Sequence, residues 1–186
     1  MLGLVILIII QTIAAMKMSV LNKLLEQRAY TDAHTGLPNK DACEELLNNK
    51  EKVSEHTACL MFDLNNLKII NDTKGHSKGD QLIFNFAHLL RRVIPQEAFV
   101  GRYGGDEFMV VIYNTSKTEI EDILMQLSRE KDSLNSRGND MPIDYACGWA
   151  ISDADSECTI QMLLDKADYY MYENKQSRKK TKQSLK

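Results

Sequence analysis

The chain has 186 residues, of which 44% are hydrophobic and 26% are charged, and its formal net charge at pH 7 is −3. This length and composition suit one globular domain with an appendage. The slightly acidic balance excludes the basic footprint of a duplex nucleic-acid binder, so no nucleic-acid partner is expected. The four cysteines form no CxxC pair, which argues against a zinc site or a disulfide framework.

The N-terminal segment is almost wholly apolar. Residues 2–16 fall short of the roughly 18–20 residues that a membrane span needs, but residues 2–20 reach that length if Lys17 extends to the interface. The basic residues Lys17, Lys23 and Arg28 all follow the apolar run, so the positive-inside rule places the rest of the chain in the cytoplasm. We expect a tether to the inner face of a membrane, or else an apolar helix that packs on a partner chain.

Three segments follow from this organisation. Helical spacing of apolar residues continues through residues 16–25, so residues 1–29 are predicted to form an apolar segment and a stalk helix that pairs with a second copy. The turn-rich stretch 31–40 marks the start of a domain over residues 30–180. Residues 181–186 form a basic tail. An upstream sensor segment would fit this arrangement, although none is visible here.

Within the domain, helical and strand-like patterns alternate. The amphipathic pattern of residues 80–93 predicts a helix that Pro95 stops. The other predicted elements, in chain order, are a helix at 40–48, a buried strand at 58–62, a short helix from 67 to 71, a polar loop at 72–78, a hairpin around 104–105, a helix at 117–134, a strand at 143–151 and a helix at 159–175. This alternation predicts an α+β or α/β fold, with helices around a central mixed sheet.

The hairpin GRYGGDEFMVV (residues 101–111) places two carboxylates beside a glycine turn. Gly104 and Gly105 tolerate positive φ and suit a tight connection, and a polar tip that only keeps the loop in water is the simplest explanation of Asp106 and Glu107. Asp63 ends the strand at 58–62. If the strand and hairpin are neighbours, the three carboxylates converge, which favours a divalent cation such as Mg²⁺ and phosphoryl or nucleotidyl transfer.

The loop between these elements suggests recognition of a base. Residues 75–80 do not match the Walker pattern, which argues against a P-loop enzyme. The carboxylate of Asp80 can accept two hydrogen bonds from guanine, and the amide of Asn71 can donate and accept at the same edge. The alternatives are a turn residue for Asn71 and a helix N-cap for Asp80.

Together these motifs resemble the GGDEF family of diguanylate cyclases over about residues 30–180. The resemblance rests on five motifs in the family's order: TGLPN (35–39), DLNNLKIIND (63–72), GH and GD (75–76 and 79–80), RYGGDEF (102–108), and the pairs AD and MY followed by K (167–168, 171–172 and 175). It implies a palm-like fold related to the nucleotidyl cyclase catalytic domain. It also implies a homodimer, required for turnover, that condenses two GTP into cyclic di-GMP and two pyrophosphates by attack of each 3′-hydroxyl on the partner's α-phosphate.

The resemblance also implies roles for individual residues. Asp63, Asp106, Glu107 and the Leu64 carbonyl would hold two Mg²⁺ or Mn²⁺ ions in each half-site, and Asp106 would activate the attacking hydroxyl. The substrate-binding residues would be Lys68 and Lys175 at the phosphates, Asn71 and Asp80 at guanine, His76 behind the guanine-side loop, and Gly104 and Gly105 where the backbone approaches the nucleotide.

The chain departs from the family pattern in several places. The product-inhibition motif RxxD would fall on residues 95–98, which read PQEA, so feedback through that site is expected to be absent. Lys179 stands where the family often has an arginine, and it supplies the charge without the bidentate fork. His34 and Lys40 replace the more usual Leu and Arg. The alternatives to a diguanylate cyclase are a catalytically silent GTP-binding regulatory module, a cyclase that joins other nucleotides, which Asp80 disfavours, and a membrane-tethered dimerisation protein.

Overall fold

The computed structural model describes residues 2–138, 141–153 and 157–184, with backbone alone at a few positions in α1 and at the end of α6. Helices and strands alternate along these ranges. In chain order they are α1 (Leu2–Ala29), α2 (Lys40–Asn48), β1 (Ala58–Leu64), α3 (Leu67–Lys74), α4 (His76–Val93), β2 (Phe99–Arg102), β3 (Glu107–Ile112), α5 (Lys117–Asn135), β4 (Tyr145–Ile151) and α6 (Ile160–Ser184).

The four strands form one sheet in the order β2-β3-β1-β4. Every neighbouring pair in it is antiparallel, with Asp63 of β1 opposite Glu107 of β3 and Ala146 of β4. The predicted α+β fold is confirmed, whereas the expected mixed sheet is wrong for the described residues. The helical crossover from β1 does return β2 in the parallel direction, but the hairpin inserts β3 between these two strands, so no parallel neighbours result.

Helices cover both faces of the sheet. Alternate residues of β1 point to opposite sides, and all seven residues of the strand are buried. Leu60 and Phe62 face α4 and α5, where aromatic rings of Phe86, Phe108 and Tyr145 pack edge-on or tilted. The opposite face of β1 packs on α2 and α6 in a second apolar cluster. Asp63 and Glu107 lie at the end of this second face, the side that α6 covers.

The predicted polar loop at residues 72–78 is wrong. α3 runs to Lys74 and α4 begins at His76, so a single residue separates the two helices. That residue is Gly75, whose φ of 87° is a conformation that side chains other than glycine rarely adopt. A run of polar residues was compatible with helix here, and only the backbone of Gly75 breaks it.

The predicted N-terminal apolar and stalk helix is confirmed as one continuous helix, α1. Residues Gly3–Leu25 form 23 residues of it that are long and apolar enough to cross a membrane by length and composition. They would span about 34 Å at 1.5 Å per residue, against a hydrocarbon thickness of about 30 Å. None of this stretch is buried against the domain.

Gly148 of β4 lets α6 lie directly on the sheet. A Cβ atom at this position would be 2.1 Å from the Met171 amide nitrogen and 2.2 Å from the Ala167 carbonyl oxygen. Both are backbone atoms, which cannot move aside without shifting the helix. The axial position of α6, and of every side chain that it carries towards the sheet, therefore depends on this glycine.

We predict that Gly148→Ala lowers the free energy of unfolding by about 1–3 kcal/mol, the usual cost of overpacking. Chemical denaturation measures this change. Gly105→Ala is the matched control, since nothing lies within 4 Å of a Cβ there, and it should change stability by less than about 0.5 kcal/mol. Unchanged unfolding of Gly148→Ala would show that α6 does not approach β4 so closely.

Candidate active site

The buried carboxylate of Asp63 is the centre of the site. Its side chain is 10% exposed, and its Oδ2 atom accepts a hydrogen bond of 2.6 Å from Nζ of Lys175 on α6. Its other oxygen, Oδ1, is buried and has no hydrogen-bond partner. Buried carboxylate oxygens are normally satisfied, so an unpaired one beside a cation marks a position where a ligand fits.

Two further carboxylates come from the hairpin. Glu107 lies directly opposite Asp63 in the β1–β3 register, and the Leu64 amide donates a 2.8 Å hydrogen bond to the Asp106 carbonyl. Leu64 itself has its side chain in the core, so only its backbone can face the site. The structure thus places Asp63, Asp106 and Glu107 at adjacent positions of the backbone, as expected from the sequence if the strand and the hairpin are neighbours.

The charges of this cluster perturb Glu107. Burial raises the pKa of Glu107, and the negative charges of Asp106, Asp63 and Asp168 raise it further, while Lys175 opposes the shift. The effect of Asp168 on the pKa of Glu107 was not predicted from the sequence. Asp168 lies seven residues before Lys175, which is two turns of α6, so both residues lie on one side of the helix. That spacing is the sequence signal that could have identified Asp168.

The described residues do not contain a ready-made metal site, since no three His, Cys, Asp or Glu side chains are gathered for one. Mg²⁺ seldom needs such a cage, because it is commonly held by one or two carboxylates together with substrate phosphates and water. The unpaired Oδ1 of Asp63 and the mutual repulsion of the acidic neighbours fit a divalent cation of this kind. The residues that could hold it are Asp63, Asp106 and Glu107.

The glycine turn is held from behind by Arg102. Its guanidinium donates to the carbonyls of Gly104 and Gly105, at 3.2 and 2.9 Å. The expectation that positive φ explains the two glycines is wrong, because neither is among the residues with positive φ. A Cβ at Gly104 would be 2.7 Å from Oε2 of Glu107, so a side chain there would have to displace the end of that flexible glutamate, whereas Gly105 has open space around it.

Arg102 also ties the turn to the loop that follows α1. Its Nη1 atom lies 3.1 Å from Oδ2 of Asp32, and both side chains are largely shielded from solvent. Burial alone would raise the pKa of Asp32, but hydrogen bonds from Thr35 and the charge of Arg102 outweigh it and lower the pKa. At the other end of the loop, Nδ2 of Asn39 donates to the Ala29 carbonyl at 2.7 Å.

The predicted guanine-binding residues lie on α3 and α4. Asn71 is inside α3 and Asp80 inside α4, so neither alternative explanation, a turn residue or an N-cap, holds. Oδ1 of Asn71 is buried without a hydrogen-bond partner and lies against Gly79, the residue before Asp80. Lys68, His76 and Asp80 are exposed. Lys179 lies in the part of α6 where side chains fall outside the described residues.

Fold and site together define an α+β domain with an acidic β-hairpin beside a helix that supplies a lysine. The sequence profile described as "Diguanylate cyclase, GGDEF domain" matches residues 29–181. The chain therefore belongs to the GGDEF family, and the resemblance seen in the sequence is confirmed.

Individual relatives agree with this assignment. Diguanylate cyclase DgcP of Escherichia coli is 32% identical over 170 residues, which are 86% of this chain and 48% of that protein. Diguanylate cyclase A of Treponema denticola is 28% identical, over 91% of this chain and 48% of its own length. The chain thus spans less than half the length of these relatives.

Solved structures show the same fold. The GGDEF domain of DgcB from Caulobacter crescentus in complex with c-di-GMP is 28% identical with a TM-score of 0.67, covering 80% of this chain and 91% of that one. A structure that includes the coiled coil of the same protein has a TM-score of 0.77 at 24% identity, and covers 90% of this chain and 91% of that one.

We predict that Arg102→Ala loosens the glycine turn. It removes both carbonyl contacts and leaves Asp32 without its cation, and an unpaired, partly buried polar group costs about 1–3 kcal/mol. Hydrogen exchange of the amides at residues 103–107 should accelerate accordingly. Arg92→Ala, which breaks the exposed pair with Glu130, is the matched control and should cost no more than about 1 kcal/mol. Equal protection of the turn in both variants would contradict the role of Arg102.

The raised pKa of Glu107 predicts a pH-dependent cost. The folded chain holds a proton on Glu107 more tightly than the unfolded chain does, so stability falls as the pH rises through the ordinary range of a glutamate carboxyl, near 4.5. In buffer with a chelator, Glu107→Gln should raise the melting temperature at pH 7, and this gain should vanish at pH values well below 4.5.

Glu119 provides a comparison of opposite sign. Hydrogen bonds from the Ser116 backbone and side chain lower its pKa, so its charged form stabilises the fold above its ordinary range. Glu119→Gln should therefore lower the melting temperature at pH 7. A Glu107→Gln variant that is also destabilised at pH 7 would contradict the electrostatic account of Glu107.

Proposed function

We propose that this chain is a diguanylate cyclase, which condenses two GTP into cyclic di-GMP and two pyrophosphates. The observation that carries the proposal is the proximity of Asp63, Asp106, Glu107 and Lys175 where β1 ends and β3 begins, in a chain of the GGDEF family. The names of the relatives DgcP and diguanylate cyclase A support it. An acidic cluster beside a cationic side chain is suited to a metal-bound triphosphate.

In this proposal the acidic residues serve the reacting phosphate. Asp63, Asp106, Glu107 and the Leu64 carbonyl hold two Mg²⁺ or Mn²⁺ ions in each half-site. When bound, such ions neutralise the phosphate oxygens and stabilise the attacking and leaving oxygens. The Asp106 carboxylate takes the proton of the 3′-hydroxyl, whose oxygen forms the new bond to the α-phosphorus of the partner's GTP. The bond from that phosphorus to pyrophosphate breaks.

The residues of α3 and α4 then bind guanine. The exposed Asp80 carboxylate accepts from N1–H and the 2-amino group, a donor pair that adenine lacks, and the unpaired Oδ1 of Asn71 has the capacity to accept a further hydrogen bond. His76, at the start of α4, supports the junction between the two helices at Gly75. Lys68, Lys175 and Lys179 contact the phosphates, and the backbone at Gly104 and Gly105 lies against the nucleotide.

Turnover in this proposal needs two copies of the chain, because each holds only one of the two nucleotides. α1 is an exposed apolar helix of membrane-spanning length, and we assign it to a tether that keeps the catalytic domain at the cytoplasmic face. Confining two copies to one membrane raises the effective concentration of the second copy without any new contact between the domains. A sensor segment upstream would act through the same helix.

The first test is product formation. The full chain in detergent micelles is incubated with GTP and Mg²⁺ at low and high protein concentration, and the products are separated by chromatography. We expect cyclic di-GMP whose yield per protein rises with concentration, and a loss of at least about a hundredfold in Asp106→Ala. Asp122→Ala, an exposed acid on α5, is the matched control and should retain activity.

Two results would contradict the cyclase. GTP binding without product at high protein concentration would support the silent GTP-binding module instead. Equal activity of Asp106→Ala and Asp122→Ala would show that the acidic hairpin does not carry the reaction.

A further inference from the structure

Lys175 occupies one of the two oxygens of the Asp63 carboxylate, which would hold the proposed metal ion. Its Nζ atom lies 2.6 Å from Oδ2 of Asp63, a short charge-assisted hydrogen bond. Asp63 is almost fully shielded, whereas Lys175 is 29% exposed. The lysine is therefore more accessible to solvent than the carboxylate that it contacts.

The surroundings make Lys175 the counter-ion of an acidic cluster. Asp106 and Asp168 add negative charge near Asp63 and Glu107, and Lys175 acts against that charge. A divalent cation would neutralise the same carboxylates. Lys175 and the cation therefore satisfy the same electrostatic demand and are alternatives to each other.

Binding of both cations to Asp63 at once weakens the binding of each. The free oxygen, Oδ1, could accept a metal ion while Lys175 stays on Oδ2, but one carboxylate would then hold two positive ions at its two oxygens. Like charges that close repel strongly in a partly buried site. If another anion lies within reach of Lys175, contact with that anion is more favourable than continued contact with a metal-bound Asp63.

The structure allows the tip of Lys175 to move while its base stays fixed. α6 is held against β4 by the close backbone contact at Gly148, so the Cα of Lys175 has a defined position. Its side chain is a flexible four-carbon stem with a compact charge. A triphosphate bound beside Asp63 would offer the ammonium another anion within reach of the same stem.

We propose that Lys175 competes with the metal ion for Asp63 and transfers to a phosphate when GTP binds, so that metal and nucleotide bind cooperatively. This inference rests on the proposed function, since it assumes a metal-bound nucleotide at Asp63. It adds that the metal alone binds weakly because Lys175 opposes it. The same lysine then favours binding of the metal together with the nucleotide.

The test measures Mn²⁺ binding without nucleotide, on the full chain in detergent micelles, by the electron paramagnetic resonance signal of free Mn²⁺. Lys175→Met should bind Mn²⁺ about tenfold more tightly than the native chain, because the competing charge is gone. Adding Asp63→Asn to Lys175→Met should abolish this gain in affinity. Lys175→Arg keeps the charge and should not gain affinity. Lys166→Met, an exposed lysine on the same helix, controls for loss of positive charge at a distance.

A second measurement, of nucleotide affinity, should change in the opposite direction to the Mn²⁺ affinity. At saturating Mn²⁺, the affinity for 3′-deoxy-GTP, which lacks the attacking hydroxyl, should fall about tenfold in Lys175→Met. A purely structural lysine would weaken both kinds of binding, since its loss would disturb the site as a whole. If Lys175→Met fails to fold, as judged by circular dichroism, Lys175→Gln replaces it in both measurements.

The proposal is overturned if removal of the charge at position 175 leaves Mn²⁺ affinity unchanged or lower, or if no Mn²⁺ binding is detected in the variant. These outcomes are distinct from a failure of the proposed function. If the native chain makes cyclic di-GMP but Lys175→Met shows no gain in Mn²⁺ affinity, the proposed cyclase function is supported and the competition by Lys175 is contradicted. If Lys175→Met binds Mn²⁺ more tightly but the native chain makes no product, the competition is supported and the cyclase function is contradicted.

Discussion

The contact between Lys175 and Asp63 is the interaction on which the arrangement of the site depends. It joins residues 112 positions apart in the chain, and it requires a central β1, an α6 on the matching face and a β4 that lets the helix come close. Gly148 meets the last requirement. On its other side β1 is paired with β3, which brings Glu107 opposite Asp63, an arrangement of like charges that normally destabilises a strand pair.

Much of the fold was readable from the sequence, because its signals are local. The amphipathic spacing that ends before Pro95 and the glycine turn between two apolar runs predicted α4 and the β2–β3 hairpin. Strand order was not readable, because it depends on which strand the hairpin places beside β1. The break between α3 and α4 was predicted too long, since the polar residues around Gly75 suit a loop and a helix surface equally well.

The site was predicted in its residue types and not in its contacts. The juxtaposition of Asp63 with the Asp106–Glu107 pair was expected only if their strands were neighbours, and the pairing of β1 with β3 meets that condition. The hydrogen bonds of Arg102 to Asp32 and to the glycine carbonyls did not, because they join segments that are adjacent only in the folded chain. For Gly104, local reasoning gave backbone freedom as the cause, whereas the structure shows an ordinary φ and a carboxylate of Glu107 that a side chain there would have to displace.

The loop after α1 has little regular structure, but hydrogen bonds hold it to its neighbours. The Ala29 carbonyl is bound by Asn39, and Thr31 and Pro38 form an isolated bridge across the loop. These contacts tie the end of α1 to the start of the domain. Each residue of an α-helix advances the chain by about 100° around its axis, so the number of residues in α1 sets the direction in which the acidic hairpin faces. In two copies whose helices lie side by side, the number of residues in α1 decides whether the two acidic hairpins face each other or face away.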